Sequence, residues 1–535
     1  MMQGRHGAGD ATGAALEVEL ELFTHRFAAV AWEMGEALRR TALSVNVKER
    51  LDFSCALLDP DGELVVNAPH IPVHLGAMGL CVRSVAANLS IEPGDVVVTN
   101  HPAFGGSHLP DVTLITPVFQ RDGSRSQGLL GYVASRAHHA EIGGKRPGSM
   151  PPDAHSLAEE GVVLDPQYLV RGGEPQWSRI RECLESGPFP SRSVDENLAD
   201  LRAAQAANHR GSEALQRLAL NHGAAKVLHF MRALTGQSMN RVRVALEEFG
   251  ERRYEAEERL DDGSPLCVAI ELARGGGLID FTGSAPVHPG NMNATPAVVR
   301  SAVLYVLRLL VPGELPLNEG LLRTVQIRLP EGMLNPRFDV DPARSPAVVG
   351  GNVETSQRLV DTLIKALGIA ACSQGTMNNV VFGNRRFGYY ETVCGGSGAV
   401  QGHPGASAVH THMTNTAITD PELLEHRYPV RLERFAVRGG SGGAGEFRGG
   451  DGVTRELLFL EPMSLSILSQ HRRVAPFGIA GGGPGRCGDQ FVRRADGTTV
   501  HLAGVDACEV EPGDRLILST PGGGGWGRAT DKEDG

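Results

Sequence analysis

The segment Asn100-His-Pro-Ala-Phe-Gly-Gly-Ser-His-Leu-Pro-Asp111 stands directly before the apolar run Val112 to Phe119. A polar stretch follows, Arg121-Asp-Gly-Ser-Arg-Ser-Gln127. A second apolar run then leads into Arg136-Ala-His-His-Ala-Glu-Ile-Gly-Gly144. Runs this close in sequence pair as an antiparallel hairpin. With the turn centred near Ser124, Asp111 falls opposite His138, and cross-strand partners lie roughly 5 Å apart. His108 stands just before Asp111. A carboxylate and two imidazoles meeting on one rim is how a divalent metal is held. A solvated His–Asp pair or a satisfied core hydrogen bond is the plainer alternative, and spacing alone leaves both open.

Working outward, the chain of 535 residues is long enough for two to four structural units. Its 41% hydrophobic and 21% charged content is that of a globular protein. A net charge of −11 argues against non-specific nucleic-acid binding and against an anionic membrane surface. No apolar run approaches the ~20 residues of a membrane helix, and the first residues lack the apolar core of a signal peptide. The eight cysteines are scattered with no CxxC. They read as free thiols, which places the chain in the cytoplasm.

Ala14 to Ala42 reads as one amphipathic helix, with Leu16, Leu20, Phe23, Phe27, Val30, Met34 and Leu38 at helical spacing. Leu51 to Asn67 reads as a hairpin turning at Asp59-Pro-Asp-Gly62. In His70-Ile-Pro-Val-His74, the proline makes a loop the better reading than a zinc-binding helical pair. Val194 to about Phe249 is helical, opened by a capping box at Ser193-Val-Asp-Glu196 and broken at Gly211 and Gly223. Short strands with Gly-rich turns follow, interrupted by helices at about Thr295 to Leu310 and Glu354 to Leu367. Beyond Glu425 the pattern is all-β. The expectation is an α+β fold of several units. Residues 1–190 form a helix plus a β-rich metal-site unit, 191–252 a helical segment, 253–424 a mixed α/β unit, and 425–535 a β-rich, Gly-rich part.

The 68 glycines cluster in short runs that suggest tight turns. Gly439-Gly-Ser441-Gly-Gly443 fits the nucleophile-elbow pattern, with Asp451 and His471 following in the right order. Gly440, Gly442 and Gly445 fit a dinucleotide loop. Both patterns need a helix next, and the glycine-laden 444–452 cannot supply one. There is no GxxxxGK[ST], so the chain shows no recognised ATP loop. Pro521 to Gly527 is expected to be a backbone turn.

Several stretches resemble the hydantoinase B/oxoprolinase family. They are Ser44-Val-Asn-Val-Lys-Glu-Arg-Leu-Asp-Phe-Ser54, His70-Ile-Pro-Val-His-Leu-Gly76, Gly105-Gly-Ser-His-Leu-Pro-Asp111 and Arg136 to Gly144. Gly350-Gly-Asn-Val-Glu-Thr-Ser356, Tyr389-Tyr-Glu391, Asn415 to Pro429, Arg438 to Arg455 and Thr520 to Gly525 match as well. The resemblance runs in order from about residue 15 to about residue 527.

That resemblance implies a division of labour. A hydantoinase A-type partner, or a fused A domain, is an ATPase that phosphorylates the substrate carbonyl. The B component carries the metal and completes opening of a small cyclic amide: a hydantoin, 5-oxoproline or a larger lactam. The missing ATP loop agrees with this. Carried over, the metal falls on Asp52, His108, Asp111 and His138, with Zn, Mn, Fe or Ni all suited to the ligand set. His139 or Glu141 is the candidate general base or orienter, and His74 a lining residue. Position 141 departs from the family, which usually shows Asp there. The implied assembly is a hetero-oligomer. An ATP-dependent carboxylase subunit and a non-catalytic structural partner of an ATPase are the alternatives.

Overall fold

The computed structural model describes residues 7–68, 71–120 and 128–529. The expected turn around Ser124 and His70 lie outside the described residues. The fold is α+β. Its N-terminal part is built on a seven-stranded antiparallel sheet of β1 (Phe53–Leu58), β2 (Leu64–Asn67), β3 (Val96–Thr99), β4 (Asp111–Phe119), β5 (Leu129–His138), β6 (Gln167–Arg171) and β7 (Glu174–Pro175). The order across the sheet is β2-β1-β5-β4-β3-β6-β7. The hairpin β4–β5 is at its centre, and Asp111 pairs with His138.

Both faces of this sheet are covered, which is why its strands read as nearly unbroken apolar runs. Side chains alternate between faces along a strand. Cys55, Leu57, Leu114 and Val133 therefore pack against the long helices Gly7–Thr41 and Val194–His222. Ala56, Leu58, Ile115 and Ala134 pack against Leu75–Asn88. Phe23 and Phe27 are buried, and Phe23 stacks on Phe230 at 4.4 Å. Burial of each such ring stabilises by about 1.5–3 kcal/mol.

Two expectations about the helical segment need correction. Gly223 does separate Val194–His222 from Ala224–Glu247, but Gly211 lies inside the first helix. A Cβ there would meet Met34 Sδ at 2.3 Å, so this glycine lets two helices approach closely. The capping box does not close either. Ser193 makes no side-chain cap, and its own N–H donates to Ser191 Oγ at 3.2 Å.

Three further sheets follow. Arg253–Arg259, Pro265–Ala273, Gly276–Asp280 and Val325–Arg328 form one, packed against helices Pro296–Leu310 and Ser356–Leu367. Gly388–Glu391, Asn379–Gly383, Met463–Leu468 and Val505–Val510 form the next, drawing strands from both sides of position 425. The last is a five-stranded sheet, from Val430–Val437 to Arg515–Ser519.

The glycine runs of the C-terminal part are not mainly turns. They are segments laid backbone against backbone: Gly443 N–H donates to Gly523 O (2.8 Å), Gly523 N–H to Gly450 O (2.9 Å) and Gly450 N–H to Ser397 O (2.9 Å). A Cβ at Gly450 would lie 1.9 Å from Ala406 O, and one at Gly523 1.9 Å from Ser397 O. Glycine is required for closeness here, not for a special dihedral. Ser441 belongs to this packing. Its Oγ donates to Arg438 O and accepts from Gly452 N–H, each at 2.8 Å, with no link to His471.

Candidate metal centre

The hairpin register sets Asp111 at the start of β4 against His138 at the end of β5. The tight turn before β4 brings His108 back over Asp111. Asp111 Oδ1 lies 3.2 Å from His108 Nε2 and 3.4 Å from His138 Nδ1. The two imidazole centroids are 5.0 Å apart. Asp52 leads into β1, the other neighbour of β5. Its carbonyl accepts from His138 N–H (3.0 Å), and its Oδ2 is 4.0 Å from His138 Nδ1. All four residues are buried.

Asp111 is held at one oxygen and open at the other. Oδ2 accepts from Ser107 Oγ at 2.5 Å and lies 3.2 Å from His74 Nε2. His74 is positioned in turn by Ser54 Oγ, 3.0 Å from its Nδ1. Oδ1, facing two imidazoles, makes no hydrogen bond. Buried carboxylate oxygens are rarely left so. Burial opposes charge on Asp111, but His108 and His74 outweigh it and hold the carboxyl well below the usual range. Burial lowers the His138 pKa, which keeps a ring nitrogen free to donate a lone pair. The donor set of two imidazoles and two carboxylates therefore fits a divalent cation.

The second half of the chain closes the site. Asn352 Nδ2 reaches His108 Nε2 at 3.2 Å from a π-helical turn, Gly351–Thr355. Such turns often mark functional positions. Tyr390 stacks on His138, and buried Arg50 lies over the same phenol ring, 4.7 Å from its centroid. Arg50 also donates to Tyr390 O (2.8 Å) and lies 3.7 Å from Asp52 Oδ2. A small cleft of about 20 Å³ lies here, lined by Asp52, His74, Asp111, His138, Asn352 and Tyr390 among others.

Sequence reasoning had not given Asn352, Tyr390 or Arg50 a role. Conversely, His139 and Glu141 do not line this cleft. His139 follows β5 with the opposite parity to His138 and turns toward helix Val194–His222, where its Nδ1 is 3.1 Å from Asn197 Nδ2. Glu141 accepts from Gly143 N–H (2.7 Å), Gly148 N–H (2.9 Å) and Arg192 (2.9 Å). It ties down the loop that follows β5.

Residues 17–529 match the family model for Hydantoinase B/oxoprolinase. The chain is 44% identical to 5-oxoprolinase 1 of Arabidopsis thaliana over 95% of its own length and 42% of that protein. It thus spans about two-fifths of the length of such 5-oxoprolinase relatives. Among solved structures, it is similar to the ATP-dependent caprolactamase from Pseudomonas jessenii, with a TM-score of 0.85 and 25% identity. That match covers 96% of this chain and 91% of the other. Acetone carboxylase shares the fold at a TM-score of 0.85 and 16% identity, covering 97% of this chain and 76% of that one.

Proposed function

The chain belongs to the hydantoinase B/oxoprolinase family, and on that premise we propose that it is the metal-bearing component of an ATP-dependent cyclic amidase. The observation that carries this reading is the buried convergence of His108, Asp111 and His138 around one carboxylate oxygen without a hydrogen bond. Asp52, His108, Asp111 and His138 would hold the ion: Zn, Mn, Fe or Ni. Such an ion supplies a bound water whose pKa falls from 15.7 toward about 7.

The chain's own residues do the rest. Ser107 and His74 fix one oxygen of Asp111 so that the other faces the imidazoles. Of His74, His139 and Glu141, only His74 lines the cleft, and it acts there by orienting Asp111. His139 and Glu141 act at one remove, through Asn197 and through the loop 143–148. Arg50 and Tyr390 wall off solvent from His138. The substrate class is a small cyclic amide, 5-oxoproline foremost, as the names of the relatives suggest. ATP is handled by an A-type ATPase component, either fused to this chain or in a separate subunit, since the sequence carries no phosphate-binding loop. Eight free thiols suit a reducing compartment such as cytoplasm.

The test is elemental analysis of the chain beside Asp111→Asn, followed by ATP-dependent ring opening with the ATPase component present. Near-stoichiometric metal and turnover are expected in the parent, with both lost in the variant. An Asp111→Asn protein with full turnover sinks the site assignment. Metal-independent support of ATPase activity alone would instead make this chain a structural partner.

A further inference from the structure

A second group of buried ligand-type side chains converges away from the cleft. Asp361 lies on helix Ser356–Leu367, Cys372 follows that helix, and His471 follows the strand Met463–Leu468. None is more than 1% exposed. One ligand atom from each lies within 4.8 Å of the other two. Cys372 Sγ is 3.6 Å from His471 Nε2. Sulfur and nitrogen bound to one tetrahedral zinc sit roughly 3.5 Å apart, given bond lengths of about 2.3 and 2.0–2.1 Å.

Each donor is aimed at the others. His471 Nδ1 lies 2.5 Å from Val474 O and 3.2 Å from Arg358 Nη1, so a carbonyl and a guanidinium fix the far side of the ring. The other ring nitrogen, Nε2, faces the thiol. A metal-bound histidine is commonly oriented this way, by partners on its far ring nitrogen. Burial, and then the Arg358 charge, keep this imidazole neutral. Asp361 repeats the asymmetry of Asp111. Its Oδ1 accepts from His412 Nε2 (3.1 Å) and from Ser373 N–H (3.2 Å), while Oδ2, wholly buried, has no hydrogen-bond partner.

The surrounding backbone is held tightly around the cluster. His412 and His471 adopt φ of 57° and 56°, a region that non-glycine residues avoid unless the fold holds them there. A Cβ at Gly375 would meet His471 Nε2 at 2.4 Å and Asp361 Oδ2 at 3.0 Å. Nearby Arg358 is paired with Glu258 at 2.8 Å, so its charge is compensated. A thiolate and a carboxylate balance a divalent ion. A hydrolytic Cys–His–Asp triad is a poor fit, because the thiol is sealed from substrate.

We propose that Asp361, Cys372 and His471 form a second divalent-cation site, of zinc type, that fastens helix Ser356–Leu367 to the C-terminal sheets. Sulfur in the donor set selects zinc over harder ions. The assignment is independent of the function proposed above.

The cleft offers only nitrogen and oxygen donors, so sulfur scattering distinguishes the two sites. The full chain, reconstituted with zinc and freed of excess metal, is measured by elemental analysis and zinc-edge X-ray absorption, beside Asp111→Asn and Cys372→Ser. Expected are two equivalents in the parent with a zinc–sulfur path. Asp111→Asn should lose one equivalent and keep that path, and Cys372→Ser should lose the path. A parent whose zinc has no sulfur neighbour overturns the proposal, as does a Cys372→Ser protein with undiminished zinc. If Cys372→Ser does not fold, the parent and Asp111→Asn spectra decide the matter alone.

Discussion

The imidazole of His138 lies flat against the ring of Tyr390, with centroids 4.7 Å apart and planes 17° from parallel. One residue ends a strand of the N-terminal sheet, and the other comes from Gly388–Glu391, nearly half the chain away. The contact makes the candidate metal centre a joint product of both halves.

Removing the Tyr390 ring should therefore be felt at the site. Tyr390→Ala is expected to cost about 3–5 kcal/mol of stability and to loosen the metal. Tyr390→Phe keeps the stack but loses the hydrogen bond to Asn379 Oδ1, 2.9 Å away. That change should cost only about 1 kcal/mol with metal content intact. Denaturant unfolding and elemental analysis of the two variants check this pair of outcomes.

His74 is predicted to matter through Asp111. In His74→Ala, Ser107 alone is left to hold Asp111 Oδ2. Metal affinity or turnover should fall about 10–100-fold, the usual result of losing a residue that orients a ligand. Competition titration with a chelator measures the affinity. An unchanged dissociation constant together with unchanged turnover would refute the clamp.

Glu141 should behave as an anchor. Shortening it in Glu141→Asp withdraws the carboxylate from Gly143, Gly148 and Arg192, at an expected cost of about 1–3 kcal/mol, while the metal is retained. A variant that lost metal but kept its melting temperature would point to a direct role instead.

Glu160 gives a pH signature remote from the cleft. Burial pushes its carboxyl up to about 8, against about 4.3 in an unfolded chain. The folded form thus keeps a proton that the unfolded form gives up. Stability from this group is fully present below the unfolded value and is lost as pH rises through about 8, by up to about 1.4 kcal/mol per unit. Its Oε1 accepts from Val348 N–H (2.9 Å) and Val349 N–H (2.8 Å), which an amide oxygen can also do. Glu160→Gln should flatten the pH dependence of unfolding between about pH 4.5 and 8. A slope identical to the parent's would contradict the protonated assignment.

The local part of this architecture was legible in the sequence. The spacing of His108, Asp111 and His138 about one turn gave the strand register, because an antiparallel hairpin leaves no freedom once its centre is known. Helical periodicity located the helices that cover the sheet. Parity was the missed step: adjacent His138 and His139 were both given chemical roles, although neighbours on an extended chain face opposite ways. Arg50, Asn352 and Tyr390 were silent for another reason. Arg50 meets Tyr390 across 340 positions, and Asn352 meets His108 across 244. No local pattern encodes such a meeting. Gly211 misled because a glycine that breaks a helix and one that admits a neighbour look alike until the neighbour is known.

The glycine-rich layer offers a sharp contrast between two single changes. Gly450→Ala must thrust a methyl into Ala406 O and is expected to cost about 3 kcal/mol. Gly439 is exposed with nothing near its would-be Cβ, so Gly439→Ala should stay within about 0.5 kcal/mol. Thermal melts of both variants are a direct check.

The same layer stores its fold information in what is missing. A core of leucines can drift, since one side chain can be traded for another of similar volume. A packed sheaf of bare backbone has no currency for such trades, because no residue is smaller than the one already present. Its hydrogen bonds link segments near positions 397, 443, 450 and 523 into one mesh, so the loss of any strand strips partners from the next. It should therefore melt as a single unit, with no partly ordered form. Gly524 donates to Cys372 O at 2.8 Å, so the mesh also gives the Asp361–Cys372–His471 cluster a stiff backing.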